Sequence, residues 1–154
     1  MAGDATPPPA NAQANPQANP QAVDPSPYQQ MIGYEVTAWG PGHVTVELDL
    51  DERHKNRRGN PHGGALMTLM DAACTRAGAI DADSGEIYKT ATVNLSTNFV
   101  GVAQGGKLRV EGRNTGGGRR LFFAEAHAYD GEGNLVATAV GTCRYASANT
   151  SNTR

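Results

Sequence analysis

NRRGNPHGGALMTLMDAACTRAG, residues 56–78, reads as a polar loop that turns into a helix. Leu66, Leu69, Met70, Ala73 and Ala77 recur at helical spacing. Asn60-Pro61 offers a cap residue and then a proline at the first helical position, where the missing N–H costs nothing. Gly63 and Gly64 then stand side by side in the first turn, at a cost of roughly 1 kcal/mol each relative to alanine. A chain that carries this cost has a use for bare backbone. First-turn amides are unpaired donors at the positive end of the helix dipole. They suit a carbonyl oxygen that turns anionic during a reaction.

A polar stripe runs down a different face from the leucines. Thr68, Asp71 and Thr75 follow at spacings of three and four and so stack as neighbours. The plain reading of such a stripe is a solvent-facing side. Here the flanking residues are Ala65, Met67, Ala72, Cys74 and Gly78, with Arg76 the lone basic side chain. A helix so apolar is expected to be buried, and an ionised carboxylate at a buried or interfacial position needs a partner or a function.

The chain has 154 residues, 13 basic and 15 acidic, for a net charge of −2, which gives no support to a nucleic-acid or membrane-surface role. Nineteen glycines and 6% aromatic residues suit a turn-rich β protein with close-packed small side chains. Cys74 and Cys143 form no metal or disulfide pattern. Reduced, buried thiols and a cytoplasmic address are therefore expected. No apolar run reaches membrane-spanning length, and the start of the chain lacks the basic-then-apolar order of a secretory signal.

Residues 1–27 are rich in Pro, Ala, Asn and Gln and repeat ANPQ at 14–17 and 18–21, so a disordered leader is expected. Residues 28–145 form the domain, and 146–154 a second polar tail. Within the domain, a helical turn through Met31-Ile32 ends at Gly33. Strands are expected at 34–39 and 43–50, the second alternating Val44, Val46, Leu48 and Leu50 on one face. After the helix come strands at 87–100, 107–113, 121–129 and 135–145, with a loose turn at 114–118. The expectation is an α+β fold: two strands, one long helix, then four strands as a meander that curls round the helix. Exposed sheet edges favour pairing with a second copy.

With these elements placed, residues 28–145 resemble the hotdog fold, and within it the PaaI-type acyl-CoA thioesterases. The resemblance rests on Asn56, on His62-Gly63-Gly64 and on Asp71 eight residues beyond Gly63, with GRRLFFAEAHAYDGEGNLVATAVGTCRY from Gly118 in support. It implies a homodimer, with a tetramer as a further assembly, and an acyl-CoA substrate with no separate cofactor, CoA being part of that substrate. It implies Asp71 as the catalytic carboxylate, acting as general base or as nucleophile, and the Gly63 amide as the group that polarises the thioester carbonyl, with Gly64 giving clearance. Asn56 matches the position that orients the water or binds near the carbonyl, and His62 an orienting residue of the helix start. Thr75 lies one turn beyond Asp71 and could bond the carboxylate or the water. Thr92 matches a position where a hydroxyl sits near the thioester. Arg119 and Arg120, with Arg57, Arg58 and Lys89, are candidates for the CoA phosphates. The chain departs from the family in its long leader and in GVAQGG between Val100 and Lys107, where relatives often place a proline or a basic residue.

Helical geometry adds a constraint of its own. Gly63 and Asp71 lie about 12 Å apart along one helix and roughly 80° apart around it. A nucleophile must come within about 3–3.5 Å of the carbon whose oxygen the amide holds. One helix cannot present both groups to one thioester, whereas two antiparallel copies can. The monomer is expected to be inactive. The floor of the acyl pocket is expected to come from the helix and strands of the second copy, with Met67, Met70, Phe99 and Phe122 as candidates. No metal is expected, since His54, His62 and Asp71 lack a recognised ligand spacing. The competing readings are a hotdog module that senses acyl-CoA without cleaving it, which would need no carboxylate beside a thioester, and a hydratase, whose signature histidine in a proline-rich context is not evident.

Overall fold

The computed structural model describes residues 23–146. A short helix, α1 (Pro27–Ile32), is capped by the Ser26 hydroxyl and ends on Gly33, whose φ of 88° is the left-handed conformation glycine tolerates. The hairpin β1 (Glu35–Gly40) and β2 (His43–Asp49) follows. A 3-10 turn, Glu52–His54, leads to the long helix α2 (Gly63–Ala77). Four strands complete the chain: β3 (Thr90–Phe99), β4 (Lys107–Gly117), β5 (Leu121–Asp130) and β6 (Leu135–Tyr145).

The strands form one antiparallel sheet in the order β1-β2-β4-β5-β6-β3. The expected four-strand meander is therefore corrected. β4, β5 and β6 do follow one another, but β3 crosses to the far edge and pairs only with β6, which lets β4 join β2. β3 begins at Thr90, three residues later than its β-branched run suggests, because Ile87 is held in an isolated bridge to Ile80. The loose turn expected at 114–118 is also shorter. A bulge between Asn114 and Gly116 absorbs the irregular residues, and β4 runs on to Gly117.

The sheet wraps α2, whose Leu66, Leu69, Met70, Ala73, Cys74 and Ala77 are buried against it. The facing side of the sheet is made of small residues, Ala124, Ala126, Ala128, Ala137 and Ala139, with Val44, Val46, Leu48, Leu108 and Val110 beside them. The helix can lie close only because the sheet yields at one point: a Cβ on Gly112 would stand 2.7 Å from the Ala73 carbonyl oxygen. Cys74 and Cys143 are both free and buried, as expected. Met70 and Phe122 also belong to this core and are 0% and 1% exposed. They are thus corrected as pocket-floor candidates, whereas Met67 and Phe99 reach the surface. Among the described residues no helix is long and apolar enough to cross a membrane.

Candidate active site

The start of α2 differs from the expected Asn60 cap. His62 is the cap, and its Nδ1 accepts the Gly64 N–H at 2.9 Å. Asn60 is used elsewhere: its carbonyl accepts from Asn56 N, and Pro61 bridges Lys55 across the loop. The ring nitrogen does the work that a Ser or Asn oxygen does at most caps. As an acceptor at Nδ1, the neutral ring carries its proton on Nε2. Gly64 N–H is thereby satisfied, and Gly63 N–H is left without an acceptor among the described residues. A Cβ on Gly63 would lie 3.3 Å from Cζ of Phe99, so the bare position lets that ring close over the helix start.

Two turns along the same helix, Asp71 is half-buried. Its Oδ1 accepts from the Thr92 hydroxyl at 2.5 Å. Thr92 reaches it because β3 is the edge strand beside the helix, with a bulge immediately after this residue that re-aims the chain. The structure brings Asp71 and Thr92 together. Thr75 turns instead to its own helix, donating to the Asp71 and Ala72 carbonyls. Asn56 sits in the loop before His62, where its side-chain oxygen accepts from Arg58 N and Asn60 N.

The thiols lie behind the carboxylate. Burial pushes Cys74 up to about 12, helped by the neighbouring Cys143 and the Asp71 charge, and burial with Asp71 pushes Cys143 up to about 11. Both stay protonated near neutrality, which rules them out as nucleophiles there. His54 is held at both ring nitrogens, by Asp51 N at 3.0 Å and the Ile32 carbonyl at 2.7 Å. Among the described residues no cluster of His, Cys, Asp and Glu could hold a metal ion.

Residues 58–137, which contain His62, Gly63, Asp71 and Thr92, match the sequence profile of the Thioesterase superfamily. The chain belongs to that superfamily. A protein of Pseudomonas aeruginosa named "Putative esterase PA0474" is 39% identical over 64% of this chain and 72% of its own length. A solved structure of a thioesterase family protein from Silicibacter pomeroyi is 26% identical, with a TM-score of 0.70 over 78% of this chain and 89% of that one. The PaaI protein of E. coli, 15% identical, shares the fold at a TM-score of 0.69 over 79% and 86% of the two chains. Membership of the Thioesterase superfamily and these relatives support thioester hydrolysis in general, and with it a hydrolase.

In this member, Arg119 and Arg120 form the exposed turn between β4 and β5, beside a cleft lined by Gly118, Leu121 and Phe123. Neither is paired with a carboxylate among the described residues. Leu121 pairs with Arg144 and Arg144 with Ala91, so this turn lies two strands, about 10 Å, from the neighbour of Thr92. The link the sequence did not show is Tyr28 Oη to Thr68 Oγ1 at 3.1 Å, because it joins residues forty positions apart without a local pattern.

Proposed function

We propose that this thioesterase hydrolyses acyl-CoA thioesters at a site shared by two copies of the chain, Asp71 of one and the Gly63 amide of the other meeting on one thioester. The observation that carries this reading is the placing of both groups on the same 15-residue helix. Eight residues of α-helix separate them by about 12 Å, too far for a shared carbonyl group. Each is nevertheless equipped for that carbonyl. Gly63 offers an N–H with no acceptor among the described residues, and Asp71 a carboxylate held at one oxygen, the other having no donor among them.

In the base route, Asp71 takes a proton from water as the water oxygen bonds to the thioester carbon. The carbonyl oxygen becomes anionic against the Gly63 N–H, and collapse expels the CoA thiolate, which takes the proton back from Asp71 to leave free acid and thiol. In the nucleophile route, a carboxylate oxygen attacks the same carbon and displaces the thiolate, and water then hydrolyses the resulting anhydride. His62 fixes the helix start in either route, and the Asn56 side-chain N–H groups, which have no acceptor among the described residues, suit water or the carbonyl. Arg119 and Arg120 suit the phosphates of CoA. The edge strand β3, with Val93 and Phe99 exposed, suits the second copy.

Mixing two inactive variants tests the shared site. Gly63→Pro removes the amide hydrogen at the first helical position, where proline is tolerated, and His62 before it is already extended at ψ 136°. Asp71→Asn removes the base. Each homodimer should be inactive, and mixed dimers should regain activity, because one of their two sites then has an intact Gly63 and an intact Asp71. Verified mixed dimers that stay inactive would refute the shared site, and an undiminished Asp71→Asn would refute the carboxylate's role. Tight acyl-CoA binding by the native chain with no thiol released would favour a sensor.

A further inference from the structure

One face of α2 carries Gly64, Met67, Thr68 and Asp71, exposed or half-buried and within about 100° of one another around the helix. Thr92 and Phe99 of β3 stand on one side, bonded to Asp71 and packed on Gly63. Tyr28 of α1 stands on the other, its oxygen against Thr68, one turn before Asp71.

This tyrosine is held in place. The single hydroxyl proton of Thr68 goes to the Gly64 carbonyl at 3.0 Å, so Tyr28 must donate to Thr68. Helix α1 is itself fastened. The Gln29 amide donates to the Tyr34 carbonyl and its oxygen accepts from Arg76, Arg53 donates to the Met31 carbonyl, and His54 bonds the Ile32 carbonyl. The ring is 53% exposed, yet it is anchored at its tip and at its helix. An exposed aromatic that is so restrained suits an apolar wall more than a mobile surface group.

We propose that Tyr28 is the stop that limits acyl length. The inference rests on Asp71 being the group that acts on the thioester. Side chains three residues apart on a helix lie about 5–6 Å apart, which with the hydrogen bond puts the tyrosine oxygen roughly 8–9 Å from Asp71. Attack requires about 3–3.5 Å of that distance, leaving some 5–6 Å for the acyl group. The favoured substrates are therefore short-chain or single-ring acyl thioesters, and longer chains meet the phenol.

The test compares kcat/KM for acetyl-, hexanoyl-, decanoyl- and palmitoyl-CoA. In the native enzyme the value should fall about 10-fold or more from hexanoyl to decanoyl. In Tyr28→Ala the two substrates should become equal within about 3-fold. Tyr28→Phe keeps the ring and unties its tip, so its ratio should lie between. Because each ratio is measured within one protein, a loss of folded material does not change it, and Tyr28→Phe serves should Tyr28→Ala fail to fold. An unaltered ratio in the variants, or a native preference for palmitoyl-CoA, would overturn the stop. If hexanoyl-CoA turnover collapses in Asp71→Asn while the ratio ignores Tyr28, only the stop falls. Turnover that ignores Asp71 removes the site reading beneath it.

Discussion

The Thr92 hydroxyl donates to Asp71 Oδ1 across 2.5 Å, joining an edge strand to the central helix of the same chain. The bond occupies Oδ1 and restrains the torsion of a short side chain. Loss of the hydroxyl should therefore cost orientation without removing the base. Thr92→Val should lower kcat about 10-fold, Thr92→Ser should stay within about 3-fold of the native enzyme, and Asp71→Asn should lose on the order of 10²–10⁴. Thiol release from hexanoyl-CoA measures all three. Equal rates for Thr92→Val and the native enzyme would show that the bond positions nothing.

Gly64→Ala separates stability from activity. Alanine in place of glycine stabilises a helix by roughly 1 kcal/mol. Its Cβ, however, would stand 2.9 Å from His62 Nδ1, so the cap must give way, at a cost of about 0.5–2 kcal/mol. The two effects nearly cancel, and the melting temperature should move by only a few degrees. The helix start is nonetheless displaced, and turnover should fall by more than about 10-fold. A thermal melt beside a rate measurement decides it. A large drop in melting temperature, or an unchanged rate, contradicts the cap as described.

These residues show what could be read without a structure. The helix was legible because Leu66, Leu69, Met70, Ala73 and Ala77 keep its period, and Gly63-Gly64 because two glycines in a first turn need a reason. The place of β3 was not legible. Nothing local in Thr90–Phe99 says that it crosses to β6 instead of pairing with β4, and only competition between whole strands decides it. The cap was misplaced because Asn60-Pro61 satisfies the usual rule, whereas a histidine ring supplies the acceptor. Thr92 could be suspected as a hydroxyl near the site, but its bond to Asp71 depends on the register of an edge strand and on its bulge.

The buried thiols predict a chemical response. With Cys74 and Cys143 pushed up to about 12 and about 11, neither should react with a disulfide reagent in the folded protein near pH 8, and both should react once guanidinium unfolds it. An unfolded thiol loses its proton around the ordinary 9.0, whereas the folded ones keep theirs. Above that pH the unfolded state binds fewer protons, so stability is complete below it and declines as the pH rises toward 11 and 12. Cys74→Ala should flatten the decline. Rapid labelling of folded protein would contradict the burial.

Asp130 predicts the opposite limb. It accepts from Gln104 N, Glu132 N, Asn134 N and Asn134 Nδ2, which hold its carboxyl below the usual 3.8, the Gln104 bond contributing most. These bonds tie the β5–β6 turn to the loop before β4, so the charge supports two connections at once. The unfolded carboxyl takes up a proton at its ordinary pKa while the folded one resists. The contribution is therefore present above about pH 4 and is lost as the pH falls through the folded value. Asp130→Asn cannot reproduce it, because an amide nitrogen would face backbone donors where an oxygen now accepts. The variant should melt well below the native protein at pH 6, and the gap should narrow as the pH falls below 3.8, where the unfolded carboxyl takes up its proton. A gap that stays constant across this range would mean that Asp130 acts through shape alone.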